Sequence, residues 1–209
     1  MWHLASELFL TPSASRSLSV DPGDVQLPWR SCWPTADETA LSFCCPLEDG
    51  PWLAARALEV VRQASGARPD PSRERYAVGS GGRAPLILGE PLIWHGLRAV
   101  LETCQTDGQP TAEVTLRLPP WAELALGVAE EAVWELADQL AVELGSACGV
   151  ISDGRAVGYP DLGDPESTAR KLQLSHLGVM VPPDWSRFLR PASSPYWVLP
   201  LSQLVVVLE

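Results

Sequence analysis

The chain has 209 residues, 46% of them apolar and 20% charged, the proportions of an ordinary globular protein rather than a disordered one. Its formal charge of −11, with one lysine against fourteen arginines, argues against a nucleic-acid partner, because neutralising phosphates needs a basic face. No apolar run approaches the roughly 20 residues of a membrane-spanning helix, and the first ten residues lack the basic start of a signal sequence, so no membrane partner and a soluble, cytoplasmic protein are expected.

Length favours one α/β domain over residues 1–209. It divides into an N-terminal strand and loop (1–38), central strand and helix units (39–152) and a loop-rich C-terminal extension with terminal strands (153–209). Residues 2–10 read as a first strand or edge segment. Residues 11–37 are rich in Pro, Ser and Asp and read as a long loop, whose Trp29 and Trp33 carry enough apolar area to pack it onto the body. Residues 39–45 (TALSFCC) read as a strand, which places Cys44 and Cys45 on opposite faces. Pro51 then suits the first position of a helix, and Leu53, Ala54, Ala57, Leu58 and Val61 make its apolar stripe up to Ser65-Gly66.

Residues 67–75 read as loop and 76–78 as the start of a strand. The GSGG run at 79–82 reads as a turn, since a phosphate cradle would need a lysine at the correct offset or a firm strand and helix around it. Residues 85–89 are a short apolar run. Residues 91–104 read as a helix, with Leu97, Val100, Leu101 and Cys104 at helical spacing and Gly96 weakening it by roughly 1 kcal/mol relative to alanine.

The clearest unit is 111–152, read as strand, helix, strand. Val114, Leu116 and Leu118 alternate with Glu113, Thr115 and Arg117 until Pro119-Pro120. Ala129, Ala132, Val133, Leu136, Leu140 and Leu144 stripe a helix that Gly145 ends. Residues 153–168 read as an exposed loop, 169–177 as a short helix, and 179–181, 196–199 and 204–208 as brief strands. The last of these (LVVVL) is apolar on both faces and belongs inside a sheet. The fold class expected is α+β or α/β: one mixed or antiparallel sheet covered on one face by two or three helices, with ferredoxin-like strand–helix–strand units fitting the strand count.

Candidate chemistry is sparse. Five cysteines without CxxC spacing read as buried small hydrophobes, not as a disulfide framework or a zinc site. His3, His95 and His176 share no ligand spacing, and no nucleophile elbow or metalloprotease motif occurs. Asp153, Asp161, Asp164 and Glu166 fall in one loop without calcium-loop spacing. Neither a catalytic residue nor a cofactor or metal ligand is therefore assigned, and the chain is expected not to be an enzyme. One surface stands out: Glu131, Glu135 and Asp138 crowd the outer face of the central helix around Trp134, a combination suited to a basic protein partner. Two other readings stay open, a small-molecule-binding regulatory domain with a tryptophan-lined groove between helix and sheet, and an enzyme whose site assembles from His95, His176 and Asp153.

The segments ALSFCCPLEDGPWLAARALEVV, EVTLRLP, EEAVWELADQLAVEL and GVISDG, followed by LGVMVPPDW and VLPLSQLVVVLE, resemble in order and layout bacterial immunity proteins of polymorphic-toxin systems, of the immunity protein 52 type. The resemblance covers about two-thirds of the chain. It implies a non-enzymatic protein that binds and neutralises a cognate toxin made by the same cell, with no cofactor.

Overall fold

The computed structural model describes residues 38–46, 50–79, 85–106, 108–120, 130–152, 160–175, 178–189 and 197–208. The expected first strand, the loop with Trp29 and Trp33, the turn at 80–82, and Asp153 and His176 lie outside the described residues.

Strand β1 (Thr39–Pro46) leads into helix α1 (Gly50–Ser65). Two very short strands follow, β2 (Arg68–Pro69) and β3 (Tyr76–Val78), and then the long hairpin β4 (Leu86–Trp94) and β5 (Leu97–Gln105). The central unit is β6 (Thr111–Leu118), α2 (Glu130–Glu143) and β7 (Cys148–Ser152). Helix α3 (Pro165–Ser175), β8 (Gly178–Val181), a single 3-10 turn at Ser186–Phe188, β9 (Trp197–Pro200) and β10 (Val205–Leu208) complete the chain.

All ten strands form one sheet in the order β2-β4-β5-β6-β1-β7-β8-β10-β9, with β3 also paired to β4. Every pairing is antiparallel. The fold is therefore α+β. β6 and β7 both pair with β1, so the β6–α2–β7 unit straddles a strand contributed from much earlier in the chain. The doubly apolar β10 lies between β8 and β9, as its composition requires.

Alternation along the strands separates two cores. On one face Leu41, Phe43, Val114, Leu116, Leu92, Trp94 and Ile151 pack under α1 and α2, which supply Leu53, Ala57, Val61, Leu136 and Leu140. The two helices run antiparallel and touch through Arg56 and Glu143, whose ion pair also supplies the positive charge that the C-terminal turn of α2 lacks. On the other face Cys44, Cys148, Val150, Val179, Val181, Val205 and Val207 pack under α3 and Trp185. Two helices thus cover the expected face, while the third covers the opposite face at the β7–β10 end only.

The helix ends follow local rules. Gly145 takes φ 59 after α2, its N–H bonds to the Val142 carbonyl, and that of Ser146 reaches back to Ala141 at 2.9 Å, the paired closure that needs a left-handed residue. Asp164 accepts the Ser167 N–H at 3.1 Å just before Pro165. That cap starts α3 four residues earlier than the sequence reading, which had assigned residues 153–168 to loop.

The helix expected over 91–104 is not formed. Those residues belong to the β4–β5 hairpin, turned by His95 (φ 49) and Gly96 (φ 82), the two positive angles of the tight hairpin turn whose twist matches that of strands. Leu97, Val100, Leu101 and Cys104 do fall at helical spacing. In the strand, however, Leu101 points into the helix-covered core while Val100 and Cys104 lie on the other side.

Candidate functional site

The four residues expected to bind a partner meet different fates on α2. Trp134 is 3% exposed and packs in the core with Val133, Ala137 and the residues of β1 and α1, so it is not part of an outer face. The reason is geometric: α2 touches both the sheet and α1, so its apolar arc is wider than a one-sided stripe. Asp138 is held by the β9–β10 hairpin, accepting the Ser202 N–H at 2.7 Å and the Ser202 hydroxyl at 2.6 Å. Glu135 is exposed. Glu131 lies in the first turn of α2, and its side chain is outside the described residues.

The aromatic side chain that the helical layer does present is Trp52, 54% exposed in the first turn of α1. Half-exposed Arg56, one turn on, bonds Glu59 at 3.1 Å as well as Glu143, and exposed Val142 adjoins Glu143. Trp52, Val142 and Glu143 thus share the end of the layer where α1 begins and α2 finishes, with Glu59 about two turns further along α1.

Cross-strand register builds a second surface on the opposite side of the sheet, over the half that α3 leaves uncovered. Tyr76, Gly89, Glu102, Thr115 and Ser42 stand in one row across β3, β4, β5, β6 and β1. The Tyr76 hydroxyl donates to Glu102, whose other oxygen accepts from Arg117 Nε at 2.6 Å; Arg117 also pairs with Glu38. Further along the row the Ser42 and Thr115 hydroxyls share a 2.8 Å hydrogen bond, and Thr115 contacts Glu113 at 3.1 Å. Burial, then the hydrogen bond and negative charge of Glu102, push the Tyr76 phenol up to about 12.

Beside this network a cleft of about 720 Å³ opens towards the His95–Gly96 turn, lined by Glu38, Arg73, Tyr76, Arg98, Val100 and Arg117 among others. No motif announced it, because its residues come from four separate stretches of sequence. The groove expected between helix and sheet is filled instead: Trp94, Phe43, Leu136 and Leu140 are fully buried there.

Other candidates have structural roles. His95 sits at a hairpin turn, its ring edge-on to Trp94 at 4.8 Å between centroids. Asp161 accepts the Gly163 N–H at 2.9 Å, Asp164 caps α3, and Glu166 pairs with Arg170 at 2.7 Å, so the acids of that loop shape the start of a helix. Cys44 and Cys148 lie directly opposite each other on β1 and β7, and Cys45 is buried on the helix side. The hydrogen bond with Cys44, and then burial, push the Cys148 thiol up; burial likewise pushes Cys45 up to about 12. Cys45 and Cys148 are therefore held as neutral thiols, not as nucleophiles. No helix among the described residues is long and apolar enough to cross a membrane.

No protein-family model matches the sequence, and no curated protein is similar to it. Among solved structures, the Pseudomonas aeruginosa T6SS protein PA0821 is similar, with a TM-score of 0.42 and 9% identity over 82% of this chain. The match spans 64% of that protein, just under two-thirds of its length.

Proposed function

We propose that this is a non-enzymatic binding protein, an immunity protein acting in the cytoplasm that neutralises a cognate bacterial toxin by covering it with the α1–α2 layer. The observation that supports this reading is Trp52. A large aromatic side chain more than half exposed on a packed helix pair has apolar area still to bury. Tryptophan is also the residue type most enriched where interfaces concentrate their binding energy. Glu143 lies at that end of the layer, Glu59 and Glu135 lie further along α1 and α2, and the chain as a whole carries −11. An acidic rim around an aromatic anchor suits a basic partner and speeds encounter by electrostatic steering. Contact centres on Trp52, and Glu135 extends it along α2, while Trp134 and Asp138 hold the platform together from within.

The test is capture from the native host with the tagged full chain, washed at low and high salt. The reading predicts one stoichiometric basic protein, retained by the wild type and lost from Trp52→Ala and Glu135→Lys. Failure to retain such a protein at either salt concentration, or equal retention by both variants, would refute it.

A further inference from the structure

We propose that the cleft on the sheet face opposite α1 and α2 is a binding site for a small molecule with an apolar body and an anionic head, a carboxylate or a phosphate, gripped by Arg73 and Arg98. The site lies on the side of the sheet away from α1 and α2, so it is independent of the toxin-binding reading.

The first support is the charge distribution. Residues 68–98 hold five arginines against three acids, in a chain whose net charge is −11. Three of the cleft's lining residues are arginines, and they are not equivalent. Arg117 is committed on both sides, to Glu102 and Glu38. Arg73 has no ion-pair partner among the described residues, and Arg98 reaches Asp70 only at 3.8 Å, beyond the length of a charge-assisted hydrogen bond. Asp70 is already engaged at its other oxygen by the Ser72 N–H at 2.9 Å and the Ser72 hydroxyl at 2.6 Å. Two guanidinium forks therefore stand at one mouth, near the Asp70 carboxylate but without a hydrogen-bonded ion pair to it. A planar fork binds carboxylate or phosphate through two parallel hydrogen bonds, which a lysine could not reproduce.

The walls supply the rest of the specificity. Val100 and Pro119 give the cleft apolar sides, and Gly96 at its rim has no side chain to block entry. Its 720 Å³ falls in the range of roughly 300–1,000 Å³ typical of small-molecule sites. The Glu102–Arg117–Glu38 chain carries a single excess negative charge, which repels a second anionic group. A ligand with one charged end and an apolar remainder fits this layout.

The experiment follows the arginine side-chain N–H signals of the full-length protein by NMR while titrating phenyl phosphate, benzoate, inorganic phosphate and benzyl alcohol. Saturable shifts of Arg73 and Arg98 are expected with phenyl phosphate or benzoate, the tighter of the two identifying the head group. Inorganic phosphate should bind about tenfold more weakly for want of a body, and benzyl alcohol should leave both signals unmoved. An Arg73→Gln, Arg98→Gln double variant should weaken binding about tenfold or more with an unchanged melting temperature, both side chains being exposed. Arg73→Lys should fall between, keeping charge but losing the fork. The proposal is overturned by an absence of saturable shifts up to about 10 mM, by equal binding to the double variant, or by inorganic phosphate binding as tightly as phenyl phosphate.

Discussion

The ring of Tyr76 occupies the space that a side chain at Gly89, its direct partner across the β3–β4 pairing, would fill: a Cβ built on Gly89 comes within 2.1 Å of Tyr76 Cζ. The bare glycine lets the phenol lie across β4 and reach Glu102 on β5. Gly89→Ala should push the ring away, break that hydrogen bond and cost about 1–3 kcal/mol in urea unfolding. In a Tyr76→Ala background the same substitution should cost markedly less, because the clash is gone. Equal costs in the two backgrounds would show that the ring is not held by this contact.

The Tyr76 phenol gives a signature at high pH. An unfolded tyrosine titrates near 10, whereas here the folded value is raised to about 12. Below about 10 both states keep the proton and the contribution of this group to stability is complete; between about 10 and 12 the unfolded chain loses the proton first, so the contribution falls away. Absorbance titration should show one of the three tyrosines ionising well after an ordinary phenol. Glu102→Gln should bring it down by removing the negative charge, and simultaneous ionisation of all three tyrosines in the wild type would contradict the assignment.

Two acids on one helix should separate cleanly. Asp138→Ala removes both bonds to Ser202 and unties the β9–β10 hairpin from α2, for an expected loss of about 1–3 kcal/mol. Glu135→Lys, on an exposed position, should stay within about 0.5 kcal/mol of the wild type. Chemical denaturation of the two variants checks this, and an unaltered Asp138→Ala midpoint would mean the hairpin does not depend on that contact.

Gly96 discriminates between hairpin and helix by the sign of one substitution. At φ 82 in a two-residue turn, alanine is strained, and Gly96→Ala should destabilise by about 1 kcal/mol or more. In a helix the same change would stabilise by about 1 kcal/mol. The direction of the shift in melting temperature decides.

Trp134→Ala should cost about 3–5 kcal/mol by opening a cavity between α1, α2 and the sheet. Thermal unfolding reads it directly; a change confined to partner binding would return Trp134 to the surface.

The strand–helix units were legible because their periodicities are unmixed: β1 and β6 alternate, and α1 and α2 carry stripes closed by Gly66 and Gly145. The β4–β5 hairpin was not, because β5 is partly buried on both sides, so its alternation is blurred, and His95 stands where asparagine or aspartate would have signalled the turn. The start of α3 was available in Asp164-Pro165-Glu166, a cap, a first-position proline and an acid, but the surrounding glycines and prolines outweighed it. Trp134 was misplaced because a helix touching two neighbours buries residues that a single stripe would leave outside. The polar row and the cleft had no signal at all. They join Glu38, Tyr76, Glu102 and Arg117, residues that become neighbours only through strand register.

Because β1 lies between β6 and β7, the order of synthesis matters. β1 emerges first among the described strands, yet neither of its neighbours exists until residue 111 has been made, and the second edge stays open until residue 148. Until β6 is made, a strand with seven buried residues lacks both of its neighbours among the described strands, and until β7 is made it lacks one. The centre of the sheet therefore closes late. A ribosome-stalled chain ending before Cys148 would carry an unmated apolar edge, the natural target of a chaperone or of a like chain nearby.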